Sequence, residues 1–487
     1  MVKEKLTQAD FNKLGIYDIQ LIKKFGRVGK KLIKTGQYKK EEVLTLFKQI
    51  INNPQPFLSR NDALKPLAEL IIESENQKDL KKLQPKEESQ ILNIHKKPLY
   101  YKIFGKEQIE EGVLEQMDTA MSLPVSLTGA LMPDAHVGYG LPIGGVLATK
   151  SNVVIPYAVG VDIACRMCMS VFDIPVKKLE QEKHKLKKAL VSRTVFGVGS
   201  ETKDHFDSRL FDKKEWQATK VIRDLKDLAY RQHGTSGAGN HFAEWGILEV
   251  SRKDDLLNIP KGKYIALLSH SGSRGFGANI AKIYSDIAKQ KLNLPNQAKH
   301  LSWLDLDSEE GIEYWIAMNL AGDYASDNHH EIHNKIWKEL GLKPLRMIEN
   351  HHNFAWKEKL EDGTEVIVHR KGATPAAKEN IGIIPGSMTR HGFIIRGKSN
   401  PSSLNSSSHG AGRVLSRKQA TKKITKNDLQ KMIADAGIEL IGGHVDEAPI
   451  VYKDIDQVMS YQKSLVDILA TFTPKIVRMA EPERWRR

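Results

Sequence analysis

Apolar residues recur at intervals of three and four over residues 1–90. The segments "YDIQLIKKFGRVGKKLIKTG" and "KKEEVLTLFKQIINN" each carry one apolar stripe between polar faces, which predicts amphipathic helices. "NNPQP" interrupts the period. "LKPLAELIIESENQKDLKKLQPKEESQILNI" resumes it and then turns polar and charged, so a boundary is expected near residue 95, with "LQPKEESQ" in or beside the linker. From about residue 97 the pattern changes. Short β-rich runs such as "NVVIPYAVGV", "KYIALLSH" and "GTEVIVHR" alternate with helix-period stretches such as "VLEQMDTAMSL" and "KKEWQATKVIRDLKDLAYRQ", with glycine-rich turns after strands. The expectation is an α+β protein: a basic, all-α accessory segment over residues 1–95, then one large mixed α/β domain over residues 96–487.

Composition changes this picture little. A hydrophobic fraction of 40% in 487 residues, with dispersed glycines, fits a folded soluble chain. No apolar run approaches the ~20 residues a membrane span needs. "MVKEKLTQADFNKLG" lacks the apolar core of a signal peptide, so a cytoplasmic location with no membrane partner is expected. Charge matters more. The net charge is +15, and residues 1–97 hold 20 lysines and arginines against 12 acidic residues, so +8 of it lies there. The chain also ends on the basic "RWRR". Such a balance favours a polyanion, nucleic acid first, although a solvated lysine-rich helical surface accounts for it equally well.

The two cysteines, Cys165 and Cys168 in "GVDIACRMC", form a CxxC. A redox dithiol of this spacing usually opens a helix, whereas this pair follows an extended apolar run. A structural zinc site commonly uses two such pairs, and the chain has no second one. A third reading makes Cys165 a thiolate ligand beside Asp162, completed by distant histidines; a thiolate has enough lone pairs to bridge two metal ions. Histidines do recur in glycine- and serine-rich loops. They stand in "MPDAHVGYGLPIGG" (Asp134, His136), "GTSGAGNHFAEWG" (Asn240, His241, Glu244), "LSHSGSRGFG" (His270), "IENHHNFAW" (His351, His352, Asn353) and "SSSHGAGR" (His409). A structural role explains any one of them as well as ligation does. Together they point to a metal or phosphate site, because glycine lets backbone N–H groups come close to such ligands. Three other motifs are set aside. "DNHHEIHNK" puts His329 and His333 at i, i+4 on a predicted helix but is not HExxH, which weighs against zinc there. "GRVG" at residues 26–29 lacks the spacing and the Lys-Ser/Thr of a P-loop, and nothing marks the serines beside His409 as part of a Ser-His-Asp triad.

Nine strings in order along the chain carry a resemblance: "LMPDAHVGYGLPIGGV", "GVDIACRM", "GNHFAEWG", "HSGSRGFG", "HHNFAWKE", "HRKGATPA", "IPGSM", "SHGAGR" and "DEAPIVYKDIDQVM". The chain resembles the RtcB-type RNA ligases from about residue 103 to near residue 480, and the first ~95 residues fall outside the resemblance. The resemblance implies a Mn(II)- and GTP-dependent ligase that joins an RNA 3′-phosphate or 2′,3′-cyclic phosphate to a 5′-hydroxyl, in RNA repair. Its implied partners are broken RNA ends, tRNA or rRNA fragments, with an archease-type activator as a candidate. His409 matches the nucleophile that forms a covalent histidine–GMP. Asp162, Cys165, His241, His270 and His352 match the ligands of two Mn(II) ions, the thiolate bridging them. The nucleotide-binding positions match Asn240, His241, Glu244, His352, Asn353, Pro385, Gly386, Ser387, Met388, His409, Gly410, Ala411 and Gly412, with Glu244 toward the guanine edge. Arg413 is expected to reach phosphate. On this match Asp162-x-x-Cys165 is the working unit, and Cys168 faces the core or lies behind the ligands.

The departures fall around the nucleotide. Ala164 and Arg166 flank the cysteine where the family favours glycine, Gly392 stands at the place of a guanine-contacting serine, Met479 and Ala480 replace a terminal Lys-Gly, and Pro375 replaces a common arginine. They put nucleotide identity in question more than the covalent step. Two other readings are therefore kept: a repurposed metal-dependent nucleotidyltransferase or RNA-end-processing enzyme with altered nucleotide choice, and an RNA-binding protein with vestigial catalysis. The complete ligand set argues against the second.

Overall fold

The computed structural model describes residues 6–7, 10–11, 14, 19–35, 38–60, 62–72, 91–205 and 207–481. The chain separates into two units, Met1–Ser89 and Gln90–Arg487. In the first, the expected helices run over Ile19–Lys34 and Lys40–Asn52. Their stripes meet: Phe25 and Leu32 pack with Val43, Phe47 and Ile50, and the Phe25 and Phe47 rings cross edge to face at 4.9 Å. Glu42 accepts the backbone N–H of Lys39 at 2.7 Å and closes the second helix's start. "NNPQP" ends that helix and opens the short 3₁₀ turn Gln55–Phe57. Residues 65–72 are helical, while "LQPKEESQ" lies outside the described residues.

The second unit is built on two sheets. The five-stranded one runs in the order Tyr101–Ile103, Ser126–His136, Ile143–Lys150, Glu365–Lys371, Asn353–Lys359. The eight-stranded one runs Ile381–Ile384, Gly392–Gly397, Val466–Met479, Phe242–Val250, Gly262–Ser271, Arg166–Phe172, Arg346–His351, with Glu439–Ile441 pairing alongside Val466–Met479. Strand Arg166–Phe172 is buried throughout and shows how two different faces are made. Met167, Met169 and Val171 pack into a core with Leu248, Tyr264, Leu268 and Phe472. Arg166 and Ser170, on the other face, bond to the long helix Glu309–Glu339. That helix packs with Arg274–Lys291 and Lys220–Gln232 around Trp216, Phe276, Tyr284, Tyr314 and Tyr324. Ser308 and Thr219 cap two of these helices, accepting from Gly311 N and Ile222 N.

The α+β class read from the sequence is the class observed. "KYIALLSH" and "GTEVIVHR" lie in strands Gly262–Ser271 and Glu365–Lys371, and "VLEQMDTAMSL" lies over helix Glu111–Met121. "NVVIPYAVGV" differs: only Val153–Val154 is strand, and Pro156 opens the short helix Pro156–Val159. Proline brings no N–H to a ladder and suits a first helical position, and the Ile155 N–H goes instead to His369 Nε2 at 2.9 Å. Leu92 and Ile94 pack against the core formed by Val113, Met117 and Leu123, within the larger unit. No helix among the described residues is long and apolar enough to cross a membrane.

Candidate metal and nucleotide site

Four adjacent strands of the large sheet bring their ends to one place. His241 precedes Phe242–Val250, His270 lies near the end of Gly262–Ser271, Cys165 precedes Arg166–Phe172, and His352 follows Arg346–His351. The register aligns them: Phe242 pairs with His270, and Arg166 with both Ser271 and His351. Cys165 Sγ lies 3.1 Å from His270 Nε2 and 3.5 Å from His241 Nε2. His270 Nε2 is 3.4 Å from His352 Nε2, and His241 Nε2 is 3.1 Å from an Asp162 oxygen. The donors thus form two triads, Asp162–Cys165–His241 and Cys165–His270–His352, with Cys165 common to both. His241 and His270 each give Nδ1–H to a backbone carbonyl, of Ser236 at 3.0 Å and Asn240 at 3.1 Å, which leaves both Nε2 lone pairs for a cation. A Cβ on Gly272 would collide with the Asp162 carboxylate, so only glycine lets that carboxylate sit there.

Burial and mutual repulsion govern the charges. Burial, then the neighbouring His241, pushes His270 down to about 3, and burial with His409 alongside holds His352 well below the usual imidazole range. Burial and the Asp162 charge raise the Cys165 thiol well above its ordinary value. Burial alone would raise Asp162, but the His241 hydrogen bond and charge bring it down to about 2. A carboxylate, a thiol and neutral imidazoles converging away from water fit divalent cations, which would stabilise the thiolate and use the free imidazole lone pairs. His352 faces the cluster through Nε2, and its Nδ1 is buried without a hydrogen-bond partner.

His409 sits beside this cluster, its ring centroid 5.0 Å from that of His352. It follows strand Ser406–Ser408, and Asp134 fixes it. One Asp134 oxygen takes His409 Nδ1 at 2.7 Å and the backbone N–H groups of His409 and Gly410 at 3.0 and 3.2 Å. A carboxylate accepting at Nδ1 leaves the Nε2 lone pair free. Burial alone would raise the Asp134 pKa, but His409, His136 and Lys453 hold it below the ordinary value. Lys453 also clamps the carbonyls on either side, Pro133 O at 3.0 Å and Ala135 O at 2.8 Å. Gly412, at φ +74°, runs against the Asp134 backbone so closely that a Cβ has no room.

One cavity of about 990 Å³ is lined by every residue matched above to a metal or nucleotide position, while Asp134 and His351 are not among its lining residues. The metal donors line it, with Asn240, Glu244 and Asn353, the turn Pro385, Gly386, Ser387 and Met388, and the loop His409, Gly410, Ala411 and Gly412. Glu244 lies among the apolar lining groups Phe242, Leu268, Phe472, Val477 and Met479, and burial pushes its carboxyl up to about 8. Ser387 Oγ is buried and unpartnered. Asn353 also ties down the ligand loop. Its amide donates to Asp162 O at 3.1 Å and accepts from Gly372 N at 2.8 Å. Arg413 lines the cavity, but its guanidinium bonds Asp446 O at 2.6 Å and Glu447 at 3.3 Å. Sequence reading named Asp134 without a role and passed over Lys371, which burial lowers to about 7, and the lining cations Arg390, Arg417, Lys418 and Lys422. The i, i+4 spacing of Lys418 and Lys422 was the available signal for two of these.

The sequence model described as "tRNA-splicing ligase RtcB" matches residues 116–229 and 212–480. The chain belongs to the RtcB family. It is similar to the RNA-splicing ligase RtcB of Escherichia coli K12, 32% identical over 372 residues, 70% of this chain and 87% of that protein. It is similar to the tRNA-splicing ligases RtcB of Methanococcus maripaludis, at 31% over 72% of this chain and 88% of the relative, and of Thermococcus kodakarensis, at 29% over 75% and 90%. The structure also locates the departures from the RtcB pattern. Gly392 and Met479 line the cavity. Ala164 takes φ +55°, the left-handed region where glycine is the less strained residue. Arg166 is turned away from the donors, bonding Glu349 at 2.9 Å and Gly322 O at 3.4 Å.

Proposed function

We propose that this chain is a Mn(II)- and GTP-dependent RNA ligase that joins a 3′-phosphate or 2′,3′-cyclic phosphate end to a 5′-hydroxyl end through a covalent His409–GMP. The observation that carries this reading is the pair of donor triads sharing Cys165, set against a histidine whose Nδ1 is taken and whose Nε2 is free. Relatives named for RNA and tRNA splicing support RNA ends, broken tRNA among them, as the substrate.

Asp162, Cys165 and His241 would hold one divalent ion and Cys165, His270 and His352 a second, supplying positive charge to offset a triphosphate. Asp134 holds the His409 Nδ1 proton and so directs Nε2 toward the α-phosphorus. A P–N bond forms there, the P–O bond to pyrophosphate breaks, and pyrophosphate leaves. A cyclic end is first opened by water, which bonds to phosphorus as the P–O2′ bond breaks and leaves a 3′-phosphate and a 2′-hydroxyl; the GMP then passes to the RNA 3′-phosphate, which frees His409. The RNA 5′-hydroxyl oxygen attacks that phosphate, loses its proton and expels GMP, closing a 3′,5′-phosphodiester. Glu244 and the apolar groups around it form the slot for the base, and the unpartnered Ser387 hydroxyl offers it a polar contact.

Incubation with Mn(II) and α-labelled GTP should give an acid-labile, alkali-stable adduct that is lost in His409→Ala. RNA binding with no adduct from any nucleoside triphosphate would leave the vestigial reading. The second reading, altered nucleotide choice, draws on Gly392 and Met479 in the cavity wall. Labelling by ATP in preference to GTP would establish it.

A further inference from the structure

Behind the strand that carries Cys165 lies a second set of soft donors. Cys168 from strand Arg166–Phe172 meets His329 and His333, at i, i+4 on helix Glu309–Glu339, and one donor atom from each lies within 4.8 Å of the others. All three are fully buried, and none lines the cavity described above. We propose that Cys168, His329 and His333 form a separate structural zinc site that pins the long helix to the large sheet.

Serine hydroxyls hold the Nδ1 atoms of both histidines. Ser170 Oγ holds His333 Nδ1 at 2.7 Å, which fixes the ring and turns Nε2 toward the cluster. Ser269 Oγ holds His329 Nδ1 at 2.7 Å, and His329 Nε2 is buried without a partner. The Cys168 thiol makes no hydrogen bond among the described residues, so two buried groups of the cluster, this thiol and His329 Nε2, hold none. Ser269 Oγ also hydrogen-bonds His333 Nε2 at 2.8 Å, a contact that a zinc ion would replace. Burial keeps both imidazoles neutral, His329 at about 3 and His333 well below the usual range, and His329 Nε2 is the ring nitrogen left without a hydrogen bond. One thiolate and two imidazoles suit zinc, whose tetrahedral bonds place sulfur and nitrogen roughly 3.5 Å apart. The three donor atoms already lie within 4.8 Å of one another. Arg166, the nearby cation, is neutralised by Glu349 at 2.9 Å. HExxH is not required here because the third ligand comes from a strand.

The decisive protein is full-length Cys165→Ser, in which Cys168 is the only thiol. Produced in medium supplied with Co(II) and dialysed against EDTA, it should retain about one cobalt per chain with a thiolate-to-metal charge-transfer band. Absence of that band overturns the proposal. In parallel, zinc in EDTA-dialysed wild type should fall from about one per chain to none in Cys168→Ser and in His333→Gln. Equal zinc in all three would overturn it as well. Should the Cys168 or His333 variants fail to fold, the cobalt band of Cys165→Ser decides alone. Should Cys165→Ser fail, the zinc content of wild type against the other variants decides.

Discussion

Two carboxyl groups at the site make opposite uses of burial. Asp134 is wholly buried yet stays ionised, because three hydrogen bonds, one of them to His409, and the nearby Lys453 reward its charge. Removing that charge while keeping the shape should misorient His409 and let the wrong nitrogen carry the proton. Asp134→Asn is therefore expected to slow adduct formation by ~10²–10⁴-fold, read by single-turnover labelling; an unchanged rate would show that His409 needs no orienting carboxylate. Glu244 has no such reward, so burial alone lifts it to about 8. Below the ordinary glutamate pKa it is protonated in folded and unfolded chains alike and costs nothing. As pH rises toward 8 the unfolded chain ionises while the folded one keeps its proton, and stability is lost, on the order of a few kcal/mol in all. Glu244→Gln removes that slope. In nucleotide-free protein its melting temperature should gain on wild type from pH 5 to pH 8, and a difference constant with pH would mean that Glu244 is ionised in the fold.

At the scale of elements, strand Arg166–Phe172 separates two chemistries by its alternation. Cys165, just ahead of it, joins both donor triads, while Cys168, three residues on, points to the helix face. Cys165→Ser should abolish manganese binding and the His409 adduct; Cys168→Ser, once folded, should keep the adduct. Equal loss in both would show that the two thiols serve one site. This division also marks what could be read in advance. Three of the strand-end donors, Cys165, His241 and His270, were legible because they sit in short motifs with glycines, and His352 because it stands in a histidine pair. "NVVIPYAVGV" was misread because apolar content outweighed a proline that cannot join a ladder. Asp134 had no visible role, since its partner lies 275 residues away and only the fold brings them together. The His329/His333 pair looked incomplete for the same reason: its thiol belongs to a distant strand.

For the whole molecule, the question is what the first unit adds to a site that lies wholly in the second. The match to the RtcB family begins at residue 116, and the unit Met1–Ser89 has its own apolar core around Phe25, Phe47 and Ile50. Its helix Ile19–Lys34 carries Lys24, Arg27, Lys30, Lys31 and Lys34 with no acidic residue in its first turn. An RNA backbone binds such a surface by releasing counterions, and each phosphate contact adds about 0.7 to the slope of log affinity against log salt for single strands. Deleting residues 1–89 leaves Leu92 and Ile94 in the core they pack into and keeps the cavity whole. The truncated chain should therefore form the His409 adduct at the wild-type rate. It should bind RNA more weakly and with a shallower salt slope, the change in slope giving the number of phosphates that the first unit neutralises. Titrations of labelled RNA at several salt concentrations measure both. Unchanged affinity and slope would mean that these lysines only solvate a helical surface; a lost adduct would mean that the first unit supports the second's fold.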